Sequence, residues 1–259
     1  MSALDLPANA VHLWYHVTSE LGRTEFEAHL SDLSTDEIAR CHRFVHTVDQ
    51  RDYAAAHAGL RRALSRYTPK RPITWQFERS AQGKPFVSPA MSAPYAINLS
   101  HTRGLVAWAI APQGDVGIDV ESCPSSPDLM ELARQNFSTK EVRQLAACAP
   151  DAMRILFIEL WTLKEAFVKA TGDGITVDLS RWGFRLDRPE LLFDPPPGIA
   201  AHEWTFALYA PTADTRMAIA ARRADASPWQ LHARAWDSDR DLAPLRASPH
   251  VTREASGGF

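Results

Sequence analysis

The chain has 259 residues, 45% apolar and 23% charged, with 28 Lys and Arg against 31 Asp and Glu for a formal net charge of −3. That composition describes a folded protein of one large or two smaller domains and excludes disorder throughout. The near balance of charge excludes a nucleic-acid binder that works by bulk positive potential.

The start, Met1-Ser-Ala-Leu-Asp-Leu-Pro7, has no basic stretch followed by an apolar one, so no secretory signal is expected. Val11 to Val17 reads as a strand. Leu33-Ser-Thr-Asp-Glu-Ile38 opens a helix, because Ser34 stands three residues before Glu37 in capping-box spacing behind an apolar staple. A helix from Tyr53 to Tyr67 follows, stopped near Pro69, and then a strand at Ile73 to Phe77. Leu105 to Ala111 is the longest apolar run, far short of the ~18 residues a spanning helix needs, and reads as a buried strand.

The same series then begins again. Asp115 to Glu121 lies over the first strand, Phe137-Ser-Thr-Lys-Glu-Val142 over the first helix start, and Phe157 to Thr171 over the long helix, with Ser34 and Ser138 standing 104 residues apart. Trp182 to Leu186 and Arg216 to Ala221 repeat the later strands with small shifts. A period this long excludes a solenoid, whose repeats run ~20–50 residues. The expected architecture is α+β: an N-terminal half over residues 1–113 and a similar α/β half over 114–236, packed as a pseudo-dimer with a ligand cleft between them. Ser122 to Asp128 is expected to be a surface loop, Trp229 to Trp236 an edge strand, and residues 237–259 a mobile tail. Cys41, Cys123 and Cys148 form neither a disulfide framework nor a CxxC metal knuckle, so a reducing, cytoplasmic setting is expected.

Three segments carry groups that could do chemistry. In Gly117-Ile-Asp-Val-Glu121, period-two geometry aims both carboxylates at one face. Such a pair either meets a cation, with Mg²⁺ the natural match for carboxylate oxygens, or marks a strand end in solvent. In Leu160-Trp-Thr-Leu-Lys-Glu-Ala-Phe-Val-Lys169, Glu165 and Lys169 stand one helical turn apart. They form either a surface ion pair or an extension of the same site, Glu165 to the metal and Lys164 and Lys169 to phosphate oxygens. Asn98-Leu-Ser-His101 is a polar entry to the buried strand, able to bond a phosphate or adenine or to serve only as a turn. No GxSxG elbow surrounds Ser100, Arg79 to Pro85 is not a P-loop, and His42, His46 and His57 show no zinc spacing.

Taken in order, Gly83-Lys84-Pro85, Asn98 to His101, Gly117 to Glu121, Phe137 to Glu141 and Trp161-Thr-Leu-Lys-Glu-Ala166 resemble the 4′-phosphopantetheinyl transferases of the Sfp type, most clearly over residues 33–186. The resemblance implies two similar halves related by pseudo-twofold symmetry with coenzyme A between them. It also implies transfer of the phosphopantetheine arm of coenzyme A to a serine of an apo acyl or peptidyl carrier, releasing adenosine 3′,5′-bisphosphate. Asp119, Glu121 and Glu165 match the family's Mg²⁺ ligands, with Mn²⁺ as the other candidate ion. Lys169 and Lys164 match the lysines at the pyrophosphate. His101 and Lys84 match positions at the 3′-phosphate and ribose, with Arg40, Arg79 and the stretch Asn98, Leu99, Ser100 holding the nucleotide. Glu141 is either the general base for the carrier serine or only a helix cap. Around Asp49-Gln-Arg-Asp52 the chain departs from the family's pattern. A monomer is expected to suffice, with no nucleic-acid or membrane partner, and Arg134 and Arg143 are expected to meet the carrier. The competing functions are a silent coenzyme A- and carrier-binding paralogue and a Mg²⁺-dependent pyrophosphate hydrolase.

Overall fold

The computed structural model describes residues 3–123, 128–174, 177–186, 190–225, 227–238 and 240–249. The chain divides into two compact units, one holding Met1–Gln113 with Leu231–Leu242, the other Gly114–Gln230 with the segment that begins at Ala243.

In the first unit, β1 (Ala10–Val17) leads into helices α1 (Arg23–Leu30), α2 (Thr35–Cys41) and α3 (Thr47–Leu64). A short ribbon, β2 (Phe77–Arg79) with β3 (Pro85–Val87), precedes the hairpin β4 (Ala96–Thr102) and β5 (Leu105–Ala111). β5 is buried along its whole length because it is a central strand with covered faces, which explains why it reads as a continuous apolar run. α3 lies between the sheet and the other two helices: Ala55, Ala56, Leu60 and Ala63 meet the sheet's core, while Tyr53, Ala54 and Ala58 meet Leu33 and Cys41. Small residues allow that depth, and Gly59 sets its limit, since a Cβ there would lie 2.0 Å from the Trp108 ring.

The second unit repeats the series with β6 (Asp115–Ser122), α4 (Leu129–Asn136), α5 (Thr139–Ala146), α6 (Pro150–Thr171), the ribbon β7 (Gly183–Arg185) with β8 (Leu192–Asp194), and the hairpin β9 (Trp204–Tyr209) with β10 (Thr215–Arg222). Its core joins Phe157, Leu160, Phe167 and Val168 of α6 to Trp182, Phe184, Trp204 and Phe206. α6 starts on Pro150 and stops at Gly172, whose φ of 76° is the left-handed cap a side chain disfavours.

The repeat holds at the level of strand register. Tyr15 and Val17 of β1 face Ala107 and Leu105 of β5, and Asp119 and Glu121 of β6 face Ala218 and Arg216 of β10. The sheets therefore run β1-β5-β4 in one unit and β6-β10-β9 in the other, each with one added strand. The additions come from the end of the chain: β11 (Gln230–Ala235) joins β1, and β12 (Arg246–Ala247) joins β9. This corrects the expectation of a mobile tail from residue 237 onward. Leu242 N–H donates to Ala233 O at 2.8 Å and Ser248 N–H to Phe206 O at 2.9 Å, so sheet pairing orders a stretch without hydrophobic periodicity. Residues 250–259 and the centre of the Ser122 to Asp128 loop lie outside the described residues.

Buried histidines make the first unit acid-sensitive. Burial, helped by His232 and Arg234, pulls His12 down to about 3, and burial with Arg62 and His16 pulls His29 down to about 4. The unfolded chain gains protons below pH ~6.5, where these folded imidazoles stay neutral, so stability falls with pH by ~1.4 kcal/mol per unit per histidine. Glu121, pushed up to about 7, acts in the opposite direction, since the folded state takes its proton first. A His29→Gln variant isolates the histidine contribution. In urea titrations it should lose about 2 kcal/mol less than the wild type between pH 7.5 and pH 5. Equal losses would show that His29 titrates alike in both states.

Candidate functional site

The acidic cluster belongs to the second unit and is built by the contact of β6 with α6. Gly117, Asp119 and Glu121 alternate with buried Val116, Ile118 and Val120 and so share the face that meets the helix. Gly117 makes the contact close: a Cβ there would lie 2.1 Å from Ala166 O and 2.3 Å from Ala170 N. Those backbone atoms belong to the residues directly after Glu165 and Lys169, so strand carboxylates and helix side chains are brought close to one another.

Lys169 crosses from α6 to β6 and places its Nζ 2.6 Å from Asp119 Oδ1. Asp119 is 3% exposed, while Glu121, Glu165 and Lys169 are half-buried. Burial, the Asp119 carboxylate and Glu165 push Glu121 up to about 7 against the pull of Lys169, and burial with Asp119 raises Glu165. Three carboxyls around one ammonium leave an excess of negative charge that favours a cation or a proton. The all-oxygen donor set suits Mg²⁺. Among the described residues, however, no three His, Cys, Asp or Glu side chains already converge on a metal position.

Two residues expected at this site are used elsewhere. Lys164 points from α6 into the core with its side chain 0% exposed, 3.0 Å from Glu141 Oε2. Its ammonium donates to the Leu179 and Trp182 carbonyls at 2.8 and 2.6 Å and lies 4.3 Å from the centroid of the Trp182 ring. Burial lowers its pKa and Glu141 opposes that shift. This corrects the expectation that Lys164 contacts pyrophosphate, because every direction its ammonium could reach is inside the protein.

Glu141 is the capping-box residue of α5, receiving the Ser138 N–H at 2.8 Å and the Phe184 N–H at 2.9 Å besides the Lys164 ammonium. It too is 0% exposed. In this geometry Glu141 serves as the cap of α5 and the partner of Lys164, with no solvent-facing route to a proton such as a general base uses.

The first unit carries the same device. Glu37 closes the capping box of α2, and Arg61 of α3 donates to it at 2.7 Å and to the Pro72 and Trp75 carbonyls at 3.3 and 2.6 Å. No metal-type trio accompanies it, since Tyr15 and Val17 occupy the strand positions of Asp119 and Glu121. An ion pair present in both units, one without the acidic cluster, belongs to the fold.

Three of the expected nucleotide ligands of the first unit, Arg40, Arg79 and Leu99, line a cavity of about 410 Å³. Arg40 and Arg79 line it with Tyr53, His57 and Leu99, and the Arg40 guanidinium lies 5.9 Å from the centroid of the Tyr53 ring. Arg79 donates to Gly83 O at 2.9 Å across the turn that bears half-exposed Lys84. On β4, strand alternation separates the four polar-turn residues: Asn98 and Ser100 are buried, while Leu99 and exposed His101 share the cavity-side face. Arg134 and Arg143 are exposed on α4 and α5, Arg134 beside Glu131 at 3.4 Å. Gly117 and the buried role of Lys164 were missed by sequence reasoning. The signal for Lys164 was the repeat, in which a helix cation stands in each half about two dozen residues after the cap glutamate.

Comparison with known proteins agrees with this architecture. A family model described as the 4'-phosphopantetheinyl transferase superfamily matches residues 115–220, and one described as 4'-phosphopantetheinyl transferase, N-terminal, matches residues 20–113. The chain is 32% identical over 173 residues to the 4'-phosphopantetheinyl transferase HetI of Nostoc sp., covering 66% of this chain and 73% of that protein. It is 30% identical over 166 residues to the 4'-phosphopantetheinyl transferase Sfp of Bacillus subtilis, covering 64% and 72%. The human L-aminoadipate-semialdehyde dehydrogenase-phosphopantetheinyl transferase is 30% identical over 176 residues, covering 63% and 56%. The repeated unit, the acidic cluster on its second copy and these relatives lead to one assignment: the chain belongs to the 4'-phosphopantetheinyl transferase superfamily.

Proposed function

We propose that this protein transfers the 4′-phosphopantetheine arm of coenzyme A to a serine hydroxyl of an apo acyl or peptidyl carrier protein. The observation that carries the reading is the cluster of Asp119, Glu121 and Glu165 around Lys169 in a chain of this family. In the reaction the serine oxygen forms a bond to the phosphorus bearing the pantetheine arm. The phosphorus–oxygen bond to adenosine 3′,5′-bisphosphate breaks, and the serine proton passes to a base.

Asp119, Glu121 and Glu165 would hold a Mg²⁺ ion, whose contribution when bound is to neutralise charge on the pyrophosphate oxygens. Lys169 adds a fixed cation beside the same oxygens, and its ion pair with Asp119 at 2.6 Å holds that carboxylate in place. In the first unit, Arg40, Arg79, Lys84 and His101 supply cationic and hydrogen-bonding groups for the nucleotide end, with Leu99 and the Tyr53 ring offering apolar surface to the base. No helix among the described residues is long and apolar enough to cross a membrane. The three cysteines are free, which supports a cytoplasmic setting, and one chain supplies both units, which supports action as a monomer.

Intact-mass analysis of an apo carrier, after incubation with the protein, coenzyme A and Mg²⁺, tests the reading. One phosphopantetheine should be added, and EDTA should abolish the addition. Bisphosphate release without any carrier would instead identify a hydrolase, and tight coenzyme A binding with no transfer to several carrier classes would identify a silent binder. Glu121→Ala should raise the Mg²⁺ concentration needed for half-maximal turnover by about tenfold or more while leaving thermal melting of the metal-free protein little changed. An unchanged Mg²⁺ requirement would remove Glu121 from the metal set.

A further inference from the structure

Asp52 lies on α3, outside the five short motifs on which the family resemblance was drawn, and is 2% exposed. Its carboxylate is placed against donors from two other segments. The Thr18 hydroxyl at the end of β1 donates to Oδ1. The Gly104 N–H donates to Oδ2 at 3.1 Å. Thr18 N–H in turn donates to Gly104 O at 2.9 Å, closing a ring of three contacts among helix, strand end and hairpin turn.

That turn connects β4 to β5. Thr102 pairs with Leu105 and His101 with Val106, leaving Arg103 and Gly104 as a two-residue connection with Gly104 at a φ of +81°. Two-residue turns transmit their position directly to the strand ends, because no slack separates them from the ladder. His101 is the third residue before Gly104 and faces solvent on the cavity side of β4. Moving the turn therefore moves His101, and the buried carboxylate that holds the turn sets where the imidazole stands.

We propose that Asp52 is a positioning residue for coenzyme A binding, acting through the Thr18–Gly104 contact to hold His101 at the nucleotide end of the site. The inference rests on the reading given above, in which His101 meets that nucleotide. Removal of the carboxylate frees the turn without touching the acidic cluster, so the loss falls on coenzyme A binding and spares the chemical step.

The test is steady-state kinetics of the full chain with an apo carrier, comparing Asp52→Ala, Asp52→Asn, Thr18→Val, Thr18→Ser and His101→Ala. Asp52→Ala should raise KM for coenzyme A about tenfold while kcat and the carrier KM stay within about threefold. Asp52→Asn and Thr18→Ser, which keep hydrogen-bonding groups in place, should restore most of the loss. The Asp52→Ala, His101→Ala double variant should be no worse than His101→Ala alone, because both changes act through one imidazole. If Asp52→Ala does not fold, Thr18→Val carries the same expectation against Thr18→Ser. A normal coenzyme A KM in Asp52→Ala or Thr18→Val, with a raised one in His101→Ala, overturns the positioning role and leaves the nucleotide assignment standing. A normal coenzyme A KM in His101→Ala overturns both.

Discussion

Gly117→Ala is expected to reduce transfer more than a hundredfold and to destabilise the second unit by about 3 kcal/mol or more. The added Cβ would fall 2.1 Å from Ala166 O and 2.3 Å from Ala170 N, well inside contact distance. Both obstacles are helix backbone, so no rotamer change relieves them. Either β6 bends or α6 moves outward, by something on the order of an ångström. Overpacking of cores ordinarily costs ~1–3 kcal/mol, and a clash against backbone belongs at the upper end. The activity loss should exceed what stability alone explains, since that movement separates Asp119 and Glu121 from Glu165 and Lys169. Urea unfolding and single-turnover transfer, measured on the same preparation, check both parts. Transfer within a factor of three of wild type would show that the strand-to-helix distance does not control the cluster.

The second large effect concerns the Glu141–Lys164 pair, whose side chains are both 0% exposed. Glu141→Ala leaves the Lys164 ammonium buried without its counter-charge, and breaking a buried pair in this way costs ~3–5 kcal/mol. It also removes the partner of the Ser138 and Phe184 N–H groups. Lys164→Met should cost less, because the remaining carboxylate keeps three N–H and O–H donors. The double variant Glu141→Gln, Lys164→Met replaces both charges and should recover part of the loss, with a coupling of ~1–3 kcal/mol in the cycle. Turnover per folded molecule should remain within a few-fold of wild type in Glu141→Gln. A stable Glu141→Gln protein with turnover reduced a hundredfold would make Glu141 the base after all.

Parts of this molecule are legible in its sequence. Both capping boxes follow from Ser-x-x-Glu, whose donors and acceptors are three residues apart, and both appear as read. The repeat was visible because each copy must build the same strand, helices and hairpin, so cap and apolar positions recur at one spacing. The shared face of Asp119 and Glu121 follows from the two-residue period of a strand. The tail was misread for the complementary reason: β12 is two residues long and is held by backbone bonds to β9, which leave no trace in side-chain pattern.

Sequence by itself thus determined the elements, their duplication and the residue types able to hold a cation, because these depend on local periods and on capping chemistry. Tertiary structure decided which of those residues face the site. Lys164 and Glu165 are neighbours in sequence, yet about 100° of helical turn per residue sends one ammonium into the core and leaves the carboxylate half-exposed. Glu141 reads as base or cap on local evidence, and its contacts with Lys164 and Phe184 come from residues respectively 23 and 43 positions away along the chain. The depth of the contact between β6 and α6 was likewise hidden in one glycine, whose meaning appears only when the helix backbone lies where its side chain would be.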